Sequence, residues 1–153
     1  MKVSDEVKSA LQELGAGGEG RLVMLGIDIS SEKLQLLKSE EISPEEVSRT
    51  IPSDKPSYSF YRHPQASSDD GALFIYVCPG SSKVKERMLY ASSRNGVLEV
   101  ARGEGVVVGK RLEAGDPEEV GASRLSEEIG GGKAAEEGGT KSGFARPKRP
   151  GRR

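Results

Sequence analysis

A chain of 153 residues has room for one ordinary hydrophobic core and an appendage, but not for two full cores. With 34% hydrophobic and 31% charged residues it is too polar to be packed throughout and too apolar to be disordered throughout, so part of it is expected to be tail. The net charge of −1 conceals a division: from Lys133 onward seven Lys or Arg face two Glu, a net of +5, so the remainder carries −6.

No run approaches the roughly 18 to 20 consecutive apolar residues of a membrane span, and Met1 to Ala10 has no apolar signal core. The chain therefore reads as soluble and intracellular, with no transmembrane segment. In chain order, Val7, Ala10, Leu11 and Leu14 recur at helical spacing, with Ser4 as N-cap and Gly15 as stop. After the glycine-rich break 15–20, Val23, Leu25, Ile27 and Ile29 alternate with Leu22, Met24, Gly26 and Asp28, predicting a strand with one strongly apolar face. Leu34 and Leu36 resume the alternation and Leu37 breaks it, so 27–40 reads as a hairpin.

Ser43-Pro44-Glu45-Glu46 is a helix start, and Pro52 ends that helix early. Tyr58 and Phe60 predict a further strand, and the unbroken apolar run 73–78 predicts one buried on both faces at the centre of the sheet. From Ser82 the period changes. Val84, Met88, Ala91 and Leu98 fall on one helical face, with Lys83, Lys85, Arg87 and Arg94 on its flanks, and Gly96 marks a place where the helix bends or ends. A strand over 106–108 follows, and Asp116-Pro117-Glu118-Glu119 opens a last helix with Val120, Leu125 and Ile129 towards the core. Beyond Ile129 glycine, proline and cations replace any apolar pattern, so 131–153 is expected to be a disordered Gly-rich linker and basic tail attached to a domain over 1–130. Helices and strands in this order predict an α+β (α/β/α) sandwich with a mixed sheet of about five strands.

The residues that carry chemistry are few. Gly15, Gly17 and Gly20 match G-x-G-x-x-G, but they follow a helix and precede a strand, so no helix N-terminus would meet a phosphate. The single His63 reads as a surface histidine, and the single Cys78 as a small buried hydrophobe. One His and one Cys leave a metal site short of ligands. The paired acids at 45–46 and 118–119 belong to helix first turns, and those at 40–41 and 69–70 read as turn residues. No nucleophile, base and oxyanion group stand in a catalytic pattern, so neither an enzyme nor a cofactor is expected. By charge alone, the cations of 83–94 are as compatible with a solvated face as with a partner surface.

The segment Val84-Lys85-Glu86-Arg87-Met88-Leu89-Tyr90-Ala91-Ser92-Ser93-Arg94 resembles the long actin-binding helix of the actin-depolymerising-factor homology fold, the fold of cofilin and twinfilin. Phe74-Ile75-Tyr76 upstream, and Lys110-Arg111-Leu112-Glu113 with Gly115-Asp116 downstream, are most similar to the second such domain of twinfilin. The run 141–151, Lys-Ser-Gly-Phe-Ala-Arg-Pro-Lys-Arg-Pro-Gly, is similar to the tail that follows that domain. Twinfilins carry two homology domains, and the resemblance here covers one. It implies binding of actin monomers, with the ADP form preferred, slowed nucleotide exchange, inhibited polymerisation and a role at filament barbed ends. Lys85, Arg87 and Met88 would be the principal contacts, Arg94 and Ser4 secondary ones, and Lys110 and Arg111 a filament-side contact. The tail would bind heterodimeric capping protein and acidic phosphoinositides through Phe144, Arg146, Pro147, Lys148 and Arg149. The implied setting is the cytoplasm and cytoskeleton, at actin patches or the cortex. The alternative is nucleic-acid or polyanion binding through the tail, since phosphate neutralisation needs only cations. A body of net −6 weighs against a groove-binding domain, so no nucleic acid is expected.

Overall fold

The computed structural model describes residues 2–16, 19–64 and 71–128. The calls on Gly17, Asp69, Asp70, Ile129 and the tail lie outside them. In chain order the elements are β1 (Lys2–Val3), α1 (Asp5–Gly15), β2 (Arg21–Asp28), β3 (Lys33–Glu41), α2 (Pro44–Thr50), β4 (Ser57–Tyr61), β5 (Ala72–Val77), α3 (Val84–Gly103), β6 (Val108–Ala114), a 3-10 turn (Pro117–Val120) and α4 (Ala122–Ser126). The six strands form one mixed sheet in the order β1-β3-β2-β4-β5-β6, parallel at β1/β3 and β5/β6 and antiparallel between. One apolar layer packs α1 and α3 on the face that carries Val23, Leu25, Tyr58, Phe60 and Phe74. A second packs α2, the 3-10 turn and α4 on the face that carries Leu22, Met24, Tyr61, Leu73 and Ile75.

Local chemistry accounts for most boundaries. The Ser4 hydroxyl accepts from the Val7 N–H at 3.4 Å, and the residues α1 buries are Val7, Ala10, Leu11 and Leu14. Its last residue must be glycine: a Cβ on Gly15 would lie 2.6 Å from the carbonyl oxygen of Gly105. At α2 the Glu46 carboxylate accepts from the Ser43 N–H at 3.2 Å, closing the helix start that the sequence signals.

Several expectations are corrected. β2 is buried on both faces, because helices cover each side of the sheet. Leu37 breaks the alternation because the β2/β3 register shifts there: Met24 pairs with Lys38 and Leu25 with Leu36, leaving Leu37 as the extra residue of a bulge. β5 is fully buried, but β2 and β4 hold the centre of the sheet, with β5 one strand in from the edge. β1 was not foreseen, since two residues show no period. β6 starts at Val108, because the Val106 N–H closes the end of α3 on the Ala101 carbonyl at 3.0 Å. The last helix is divided by Gly121, whose extended backbone separates the 3-10 turn from α4. Glu40 and Glu41 lie in β3, not in a turn. His63 is 2% exposed, its ring edge-on to Tyr61, and burial pushes its imidazole pKa down while Glu45 partly opposes the shift. Cys78, just past β5, is half-buried.

Candidate functional site

α3 is continuous for 20 residues and passes through Gly96 without a break. The glycine costs about 1 kcal/mol of helix propensity, which burial of Val97, Leu98 and Ala101 just beyond it offsets. The helix packs through Tyr90, Val97, Leu98 and Ala101. Of the face predicted to be apolar, only Leu98 is inside. Val84 is 60% exposed, Met88 67% exposed, and Ala91 is exposed as well. The reason is geometric: spacings of seven and eleven residues from Tyr90 reach Val97 and Ala101, and the row 84-88-91 is turned roughly 100° to 160° away from them round the cylinder.

Tyr90 sets that orientation. Its hydroxyl accepts from the backbone N–H of Ile27 at 2.7 Å, beyond the point where β2 loses β4 as a partner, the last pair being Leu25 with Tyr58. The Tyr58 hydroxyl donates to the Tyr90 carbonyl, and the two rings stack with centroids 5.1 Å apart. Tyr58 also stacks on Tyr76 at 5.4 Å and Phe74 at 6.0 Å. Burial raises the pKa of Tyr58 and Tyr90, so both phenols stay neutral and available as hydrogen-bonding groups. This clamp escaped the sequence reading. Its only signal was the row Tyr90, Val97, Ala101, which competes with the equally regular row Val84, Met88, Ala91.

With the helix held in this way, Lys85 and Arg87 emerge on either side of Met88, both exposed and without a carboxylate partner among the described residues. Arg94, on the Arg87 flank, forms an ion pair with Glu113 of β6 and lines a small cavity of about 320 Å³ with Phe74, Arg111 and Glu113. Ser4 serves as the cap of α1, and its N–H donates to the Leu34 carbonyl at 3.2 Å. Leu34 pairs with Ile27, whose N–H meets Tyr90, so Ser4 and the first half of α3 stand at the same end of the sheet. Lys110 does not join them, and Arg111 meets α3 at Arg94, across the cavity they both line. Lys110 and Arg111 occupy edge strand β6 and point to opposite faces: Arg111 pairs with Phe74 of the α1/α3 layer, and Lys110 with Leu73 of the α2/α4 layer. Phe144, Arg146, Pro147, Lys148 and Arg149 lie outside the described residues. No described helix is long and apolar enough to cross a membrane.

A two-layered helical cover on a six-stranded mixed sheet, with a long helix that turns an apolar row outward between cations, defines a cofilin-like class of domain. The sequence profile described as Cofilin/tropomyosin-type actin-binding protein matches residues 1–130, and the chain belongs to that family. Within it, the chain is 35% identical over its full length to a twinfilin of Schizosaccharomyces pombe, of which it covers 47%, and 29% identical to a twinfilin of Dictyostelium discoideum over 86% of the chain and 41% of that protein. The chain thus spans less than half the length of these curated relatives. Among solved structures it is similar to glia maturation factor from Caenorhabditis elegans, with TM-score 0.68, 28% identity and coverage of 83% of this chain and 94% of that one. Coactosin from Entamoeba histolytica shares the fold, with TM-score 0.70 at 18% identity over 88% of this chain and 98% of that one.

Proposed function

We propose that this domain binds monomeric actin through the first half of α3 and acts as a twinfilin-type regulator of actin assembly. The observation that carries the reading is the exposed pair Val84 and Met88, set between Lys85 and Arg87 on a helix fixed to the sheet by Tyr90. The domain gains nothing for its own core by leaving a methionine and a valine in water beside cations that have no carboxylate partner among the described residues. An apolar cleft rimmed by carboxylates on a partner uses all four: full burial of side chains of this size is worth about 1.5 to 3 kcal/mol each, and Met88 adapts to an irregular cavity. The cations steer an acidic partner and fix its register.

In this reading binding is strongest to the ADP form, slows nucleotide exchange on the monomer and withholds it from polymerisation, and the same surface acts at filament barbed ends. Arg94 and Ser4 support the contact, Arg94 through its pairing with Glu113 and Ser4 by capping α1. Lys110 and Arg111 serve a second contact on the β6 edge. The tail binds capping protein and acidic phosphoinositides: Phe144 is an apolar anchor, Arg146, Lys148 and Arg149 meet anionic groups, and Pro147 lowers the entropy lost on ordering. No catalytic step is involved. The test is a titration of fluorescently labelled monomeric actin, loaded with ADP or ATP, with the whole chain. Saturable binding, tighter to ADP-actin and accompanied by slower nucleotide release, is expected. A flat titration with both forms overturns the reading.

A further inference from the structure

β3 runs for 9 residues, but β1 covers only its start: Lys2 pairs with Lys33 and Val3 with Leu34. Beyond Leu34 the outer edge of β3 has no strand partner among the described residues. The Leu34 carbonyl turns outward to accept from Ser4, and the Ile42 N–H turns inward to Gly20. Alternation from both ends, with the bulge at Leu37 between them, sets the backbone groups of Leu36 and Ser39 towards that open edge. The same two residues line a groove of about 340 Å³ with Asp5, Glu6, Ala10 and Glu13 of α1. Its floor is apolar, from Ala10 and Leu36, and its rim is acidic. Asp5 and Glu6 suit the first turn of their helix, but Glu13 is exposed in the last turn, where the helix dipole disfavours an acid. Among the described residues Arg21, 3.8 Å from Glu13, is the one cation paired with these carboxylates.

We propose that this groove is the docking site of the chain's own basic end, residues 141–149, laid as an added strand along the open edge of β3. The charges complement each other: 141–153 holds six Lys or Arg and no acid. The order of residues fits as well. In an extended run Phe144, Arg146 and Lys148 share one side, so the ring can cover Ala10 and Leu36 while the cations follow the carboxylates. Pro147 then takes the alternate position, whose backbone faces away from β3 and needs no N–H. Glu128 and Phe144 are 16 residues apart, a reach of at most about 50 Å, against roughly 35 Å across a domain of this size. Exposed ion pairs are weak one by one, but a short linker raises the effective concentration to the order of millimolar and populates the contact within one chain. A second copy fits worse, because two such edges would bring like-charged rows together. The contact is independent of the actin surface on α3 and of any partner of the tail. Its consequence is that the tail's cations are withheld from other anionic partners while they lie on α1.

The test uses the full chain and needs no partner. Amide NMR spectra of the wild type are compared with those of Arg146→Glu/Lys148→Glu/Arg149→Glu, whose changes all lie outside the domain. Shifts concentrated at Leu36, Ser39, Glu6 and Glu13 are expected, and signals that coincide at these positions overturn the docking. Shifts that grow with protein concentration would place the tail on a second copy and overturn it equally. Trypsin cleavage after Lys148 reads how available the tail is. Glu6→Lys/Glu13→Lys changes two exposed side chains, and the cut is expected about 3- to 10-fold faster in that variant, with the difference from wild type lost at high salt. Equal cleavage rates at low salt contradict the proposal. Actin affinity plays no part in either readout, so the α3 reading stands or falls separately.

Discussion

The hydroxyl of Tyr90 accepts a hydrogen bond from the backbone N–H of Ile27 at 2.7 Å and, together with the Tyr58 hydroxyl on the Tyr90 carbonyl and the burial of Val97, Leu98 and Ala101, fixes which side of α3 faces solvent. The N–H it satisfies belongs to β2 past its last pairing with β4, where an unpartnered donor would otherwise be buried. This phenol thus completes the sheet and helps to turn Val84 and Met88 outward.

Tyr90→Phe should therefore destabilise the domain by about 1 to 3 kcal/mol, the cost of leaving a buried donor unpaired. Thermal denaturation reads this directly, with a drop of several degrees for a domain of this size. The variant should retain its helix content by circular dichroism, since Val97, Leu98 and Ala101 still pack. An unchanged melting temperature contradicts the role given to the hydroxyl.

Met88→Ala separates binding from folding. At 67% exposure the side chain contributes little to the core, so the melting temperature should stay within a degree or two of wild type. Affinity for monomeric actin should fall about tenfold or more, a loss of about 1.4 kcal/mol or greater. The reverse pattern, a lower melting temperature with intact affinity, would mean that Met88 belongs to the interior.

The sequence disclosed the sandwich because its elements announce themselves locally: a capped α1 with four apolar residues at helical spacing, the six-residue run of β5, and the Ser43-Pro44 start of α2. It pointed to Lys85, Arg87 and Met88 only through the resemblance of 84–94, and the structure places all three on the exposed side of α3. Which face of α3 lies inside was not legible, because Val84, Met88 and Ala91 and Tyr90, Val97 and Ala101 are both regular apolar rows, and the choice between them rests on contacts with Ile27 and Tyr58 far off in sequence. The pairing of Arg94 with Glu113 and the opposite faces of Lys110 and Arg111 depend likewise on where β6 docks and on its register with β5. His63 was misread as a surface residue for the same reason: a polar residue before a proline gives no local sign that the chain folds over it.

That burial makes a prediction about pH. Because His63 titrates below its ordinary value of 6.5 in the folded state, the unfolded chain binds the proton more readily. The stability contributed by the neutral imidazole is fully present above about pH 6.5 and is lost as pH falls through the folded value. Urea midpoints should decline from pH 7 towards pH 5, and His63→Phe should flatten that slope. An identical slope in the variant would assign the acid sensitivity elsewhere.

The tail proposal is tested by removing 144–153. The shortened chain should bind monomeric actin as the full chain does and lose retention on immobilised capping protein. Retention that survives the deletion contradicts the assignment to Phe144 and its neighbouring cations.

The most direct measurement is the affinity of Lys85→Ala/Arg87→Ala for ADP-actin monomers, taken with its melting temperature. If the exposed first half of α3 is the contact surface, affinity falls at least about tenfold while the melting temperature is unchanged. Wild-type affinity in the doubly substituted chain would show that these cations only face water.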